Sequence, residues 1–226
     1  MSAASSVLRT ARPVHATAGR HELAGDLAVP PTASGLVIFA HGSGSSRFSP
    51  RNRYVADTLH QRGLATLLID LLTAQEEDLD EYSGRFRFDI RLLAERLTAL
   101  CEWTKGEAEL RDLPIGLFGA STGGGAALLT AAQEPHGFHA VVSRGGRPDL
   151  AGAALTRVLA PTLLIVGERD ETVIELNKRA MSQMGCEVRL EIVPRATHLF
   201  EEAGTLEVVA QHAADWFTSH LGREDK

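Results

Sequence analysis

The chain has 226 residues, 44% of them hydrophobic and 23% charged, which is the make-up of a soluble globular protein long enough for one α/β domain. Its formal net charge of −6 argues against nucleic acid or an anionic membrane as a general partner. The two cysteines, Cys101 and Cys186, form neither a disulfide framework nor a metal pattern, and no apolar run approaches the roughly 18 residues needed to cross a bilayer.

Residues 1–12 are rich in Ser and Ala, carry two arginines and lack an apolar core, so they read as a frayed end rather than a secretory signal, with a targeting peptide as the alternative. Val14 to Ala16 and His21 to Val29, parted by Gly19, predict a strand pair that Pro30-Pro31 ends. Gly35 to Ala40 is apolar without alternation, as a strand buried on both faces of a parallel sheet should be. It empties into the loop His41-Gly42-Ser43-Gly44-Ser45-Ser46-Arg47, and Pro50 then opens a helix to about Gln61. Ala65 to Asp70 repeats the buried-strand pattern. Gln75 to Glu81 is acidic, and Gln75 to Gly84 reads as a solvated loop, with a mobile rim over a pocket mouth as the other possibility.

Phe88 to Lys105 predicts an amphipathic helix, with Ile90, Leu93, Leu97, Leu100 and Cys101 at helical spacing. Further strands are expected over Pro114–Phe118, Ala140–Ser143, Pro161–Gly167 and Val188–Pro194. Helices are expected after Ser121, over Thr172 to about Met184 and over Gly204 to Leu221. Alternating strands and helices call for one domain with a mostly parallel sheet covered on both faces.

Chemistry concentrates in Gly119-Ala120-Ser121-Thr122-Gly123, between an apolar strand and a small-residue helix. A serine hydroxyl is a poor nucleophile unless a base takes its proton and the forming oxyanion is held. A tight strand-to-helix turn serves both needs, because it projects the side chain above the sheet edge and sets N–H groups at a helix N-terminus. In open parallel sheets functional groups gather past the carboxyl ends of strands. There stand Ser121, Asp170 and His198, in the order that an α/β-hydrolase fold imposes. His198 would take the Ser121 proton, and Asp170 would fix the imidazole tautomer. Asp170 could instead merely cap the next helix. Glu168 and Glu171 are neighbouring carboxylates, and the other histidines lie in early strands, helices or an inner loop. Backbone N–H groups of Ser43 and Thr122 would form the oxyanion hole, with Gly42 and Gly44 as weaker choices.

From Gly35 to Leu221 the chain resembles the dienelactone hydrolase family of α/β-hydrolases. The likeness is carried by the His41 loop, Gly119–Gly124, Ser143-Arg144-Gly145-Gly146-Arg147-Pro148-Asp149 and Arg195-Ala196-Thr197-His198-Leu199-Phe200. It is most similar to a branch sometimes fused to phosphoribosyltransferase domains. The resemblance implies the α/β-hydrolase fold and the triad positions. Dienelactone hydrolases proper use a cysteine nucleophile where this chain has Ser121, so it does not imply dienelactone as substrate.

The expected activity is hydrolysis of a small soluble ester or lactone. Thioesterase, acyltransferase or amidase chemistry on the same triad is the alternative, and a ligand-binding protein on a hydrolase scaffold is the non-enzymatic one. Arg47 or Arg144, beside Gly42, would bind a substrate carboxylate or phosphate, unless these arginines pair with structural acids such as Asp70, Asp89 or Asp149. No metal or organic cofactor is implied and no large lid is expected. The protein should be a cytoplasmic monomer or homodimer, its cysteines small buried hydrophobes in a reducing compartment.

Overall fold

A computed structural model describes residues 11–222, so most of the expected frayed end lies outside the described residues. Strands β1 (Arg12–Ala18) and β2 (His21–Ala28) form an antiparallel hairpin that buries alternate residues such as Val14, Ala16 and Leu23. Strands β3 (Leu36–Ala40), β4 (Ala65–Ile69), β5 (Ile115–Ala120), β6 (Ala140–Arg144) and β7 (Thr162–Gly167) are buried at every residue. That is why they read as unbroken apolar runs: both faces are covered. Strand β8 (Val188–Val193) is a half-exposed edge. The sheet order is β1-β2-β4-β3-β5-β6-β7-β8, parallel from β4 to β8, with β2 antiparallel to β4.

Helices α1 (Pro50–Gln61) and α6 (Thr205–Leu221) cover one face, packing Val55, Leu59, Val209 and Phe217 on Val37, Phe39, Phe118 and Val142. Helices α3 (Ile90–Gly106) and α4 (Thr122–Gln133) cover the other through Leu97, Leu100, Ala127 and Leu128. A 3₁₀ segment (Pro148–Arg157) and α5 (Glu171–Met181) complete that layer. The chain leaves β3 toward β4 on one side, while β5 continues through β6 to β8 on the other. The carboxyl ends of β3 and β5 therefore form a switch point, where such sheets bind ligands.

Two expectations need correction. The acidic stretch Gln75–Glu81 is not a loop but lies within helix α2 (Ala74–Ser83). Thr73 and Glu76 form a reciprocal capping box, Glu76 pairs with Arg96 at 2.7 Å, and Gly84 closes the helix in the left-handed region. Carboxylates in a first helical turn also meet a favourable dipole. The 3₁₀ segment after β6 was not expected at all; it is the short connection to β7 and packs against α4.

Candidate active site

The turn from β5 into α4 holds Ser121 at φ 51°, ψ −119°, a left-handed backbone that costs a non-glycine residue about 1–3 kcal/mol. Its neighbours hold it there. Ser121 N–H donates to Arg144 O at 3.2 Å, while Ser121 O accepts from Gly124 N at 3.0 Å and from Arg147 N at 3.1 Å. The flanking glycines answer to close approach: a Cβ on Gly119 would lie 2.5 Å from Gly124 Cα, and one on Gly123 2.6 Å from His41 O. Ser121 Oγ makes no hydrogen bond among the described residues, and contacts of this kind often tighten only once substrate is bound.

Asp170 precedes α5 but makes no side-chain cap bond to it. Its Oδ2 instead lies 2.6 Å from His198 Nδ1. A carboxylate can only accept, so the ring carries its proton on Nδ1 and leaves Nε2 as the basic nitrogen. The capping role that the sequence also allowed is thus not taken up by this side chain. The segment bearing His198 is fastened by Arg169 N to Ala196 O at 2.9 Å, Arg195 N to Glu168 Oε2 at 2.6 Å and Thr197 N to Glu202 Oε2 at 3.1 Å. Its imidazole packs on Gly145, where a Cβ would stand 3.4 Å from Cε1. Gly145 follows the residue whose carbonyl holds Ser121 N–H, so one short turn adjoins both elbow and imidazole.

The loop after β3 closes the third side. His41 is buried; its Nδ1 lies 3.0 Å from Gly42 O, and its Nε2 accepts from Leu71 N at 3.2 Å, which anchors the loop to the chain leaving β4. Ser43 N–H donates to Thr122 Oγ1 at 2.8 Å, and a Cβ on Gly42 would sit 3.1 Å from Ser121 Cβ. The two expected oxyanion donors are therefore neighbours, with Ser43 N–H meeting the threonine hydroxyl in this state. Beyond them opens a cleft of about 450 Å³, walled by Gly42–Ser46 on one side and by Glu77, Asp78 and Glu81 of α2 on the other.

A family model described as an alpha/beta hydrolase domain matches residues 33–219. A dienelactone hydrolase from Anabaena variabilis is 54% identical in its crystal structure, with a TM-score of 0.91 over 93% of this chain and 99% of that one. The chain belongs to the α/β-hydrolase family and is dienelactone hydrolase-like. Est1E from Butyrivibrio proteoclasticus shares the fold at 17% identity, with a TM-score of 0.77 over 92% of this chain and 98% of its own. A Mycobacterium tuberculosis protein carrying the provisional name of a phosphoribosyl transferase is 55% identical over 208 residues, 92% of this chain and 46% of that protein. The chain thus spans about half the length of the curated relatives it matches.

Within this α/β-hydrolase the arginines separate sharply. Arg47 pairs with Asp70 through its guanidinium and through its backbone N–H at 2.7 Å, and approaches Asp26 at 3.9 Å. Arg53 meets Asp26 at 3.0 Å, Arg147 meets Asp149 at 2.7 Å and Arg51 meets Glu201 at 3.2 Å. Of these five, Arg144 alone has no carboxylate partner among the described residues. It is 8% exposed; Nη2 reaches Asn52 Oδ1 at 3.4 Å, Nη1 is buried without a partner and the cation lies 5.9 Å over the Phe200 ring. Burial first, and then Arg51, lower its pKa to about 10, so it is still a cation at neutral pH. Sequence reasoning missed Asn52 and α2 as parts of this region; the Thr73-x-x-Glu76 spacing was the available signal for the helix.

Proposed function

We propose that this α/β-hydrolase cleaves a small carboxylic ester or lactone by acyl transfer to water. The carrying observation is the 2.6 Å contact from Asp170 Oδ2 to His198 Nδ1, set beside a serine on a left-handed strand-to-helix turn. Nε2 of His198 takes the Ser121 proton as Oγ attacks the carbonyl carbon. The developing oxyanion is met by the N–H groups of Thr122 and Ser43, the substrate oxygen displacing the threonine hydroxyl from the latter. Imidazolium, stabilised by Asp170, protonates the leaving alkoxide. Water then attacks the acyl-enzyme, with the same nitrogen as base. The phosphoribosyl transferase name belongs to relatives more than twice the length of the matched part, and we assign that activity to the portion this chain does not cover.

Burial pushes the thiols of Cys101 and Cys186 up, which makes both poor nucleophiles and suits a reducing, cytoplasmic setting. Hydrolysis of p-nitrophenyl acetate by the purified protein tests the reading. Turnover should be readily measured and should vanish in Ser121→Ala; equal turnover in that variant removes the proposal.

A further inference from the structure

We propose that Arg144, with Arg51 and Asn52, forms an anion subsite beside Ser121, so that the substrate is an ester bearing a carboxylate or phosphate group. This deepens the ester-hydrolase reading and takes its reaction centre from it.

Three observations meet at one place. The Arg144 guanidinium is more than nine-tenths buried and, among the described residues, has no carboxylate partner and leaves Nη1 without any hydrogen bond. A buried lone charge is strongly disfavoured unless an opposite charge completes it. Arg51, close enough to depress the ionisation of Arg144 further, also leaves a nitrogen, Nε, buried and unpartnered. Two cations therefore crowd one spot, with a single carboxylate, Glu201, on Arg51. Finally, the spot adjoins the catalytic groups. The carbonyl of Arg144 accepts from Ser121 N–H, its side chain lies against Phe200 two residues past His198, and Asn52 and Arg51 stand in the first turn of α1, whose field also favours an anion.

The geometry also suggests how an anion arrives. Glu201 is solvent-facing and Arg51 half-buried, with side-chain exposures of 64% and 31%, so the pair sits at the surface and is easily exchanged. A substrate carboxylate or phosphate would take the place of Glu201 on Arg51 and complete the empty nitrogen of Arg144. Arg47, the other candidate, also leaves its Nε without a hydrogen bond, but its guanidinium already faces two carboxylates, Asp70 and Asp26, so its charge is answered within the chain.

The test compares p-nitrophenyl acetate with mono-p-nitrophenyl succinate at one ionic strength, in wild type and Arg144→Met. The ratio of kcat/KM, succinate over acetate, should fall by about tenfold or more through KM, with Arg144→Lys recovering part of it, as expected for loss of a charge-assisted fork. An unchanged ratio overturns the subsite. Should the methionine variant fail to fold, Arg51→Gln at the surface should lower the same ratio and Glu201→Gln should raise it; no change in either overturns the proposal. Calorimetric titration with succinate and with inorganic phosphate separates the two anion classes and does not depend on turnover. Binding of either anion that is lost in Arg144→Met or Arg51→Gln sustains the subsite even if no ester is cleaved. Binding of neither anion to wild type, or equal binding to the variants, ends it.

Discussion

Ser121 has two unlike flanks. On the α1 and β6 side stands a buried guanidinium with no carboxylate to answer it among the described residues; on the α2 side Glu77, Asp78 and Glu81 line the cleft with carboxylates, and Arg87 is paired there with Asp80. The second flank is a solvated helix face and can be altered cheaply. The first carries an uncompensated charge in the interior, a costly feature that packing alone does not account for. The contrast teaches that the charges around Ser121 differ in kind, solvated carboxylates on the α2 wall of the cleft and a buried cation on the β6 side. An anionic substrate group should settle on the Arg144 side and be repelled from α2.

The largest effect should come from the group that serves both flanks alike. Asp170→Asn removes the acceptor that sets the His198 tautomer and should lower kcat by about 10³- to 10⁴-fold for neutral and anionic esters equally. A loss confined to anionic esters, in steady-state assays of both, would break the division between shared machinery and flanks. Next in size is a stability effect. Arg144→Met replaces a buried, unpaired cation by an apolar side chain and should hold or raise stability, by about 1–3 kcal/mol at most, in denaturant unfolding. A clear loss would make Arg144 a structural residue.

Smaller still is the α2 flank. Glu77→Gln with Glu81→Gln should raise kcat/KM for the succinate ester about two- to threefold at low salt, and the gain should fade at high salt as screening shortens the reach of surface charge. The smallest concerns Glu77 alone. Partial burial, followed by Asp70, lifts its carboxyl above the usual range, so folding disfavours its ionised form. That cost is present above the folded pKa and disappears as pH falls below the unfolded one. Thermal melting of Glu77→Gln should therefore show a gain under about 0.5 kcal/mol at neutral pH and none under acidic conditions, the partial exposure of the side chain discounting the effect.

Much of the fold was readable in the chain because its strands are covered on both faces and so announce themselves as apolar runs. The elbow was readable for a steric reason: only glycine fits at 119 and 123 where strand and helix backbones touch. Helix α2 was obscured because seven residues of acid-rich sequence resemble a solvated loop until Thr73 and Glu76 are seen to cap each other. The solitude of Arg144 could not be read at all. Asp149 lies five residues on and is a natural partner by sequence, yet it follows the chain to the α4 face and pairs with Arg147, while Arg144 points toward α1. Which face a side chain takes decides its partner, and that depends on contacts from distant parts of the chain.

The account turns on Ser121 being a nucleophile activated by His198. Intact-mass and peptide mass spectrometry after brief exposure to a fluorophosphonate tests this directly. The account predicts one stoichiometric adduct on Ser121, absent in Ser121→Ala and formed far more slowly in His198→Ala. No adduct on the folded protein, or an adduct on another residue with Ser121 left free, would contradict it.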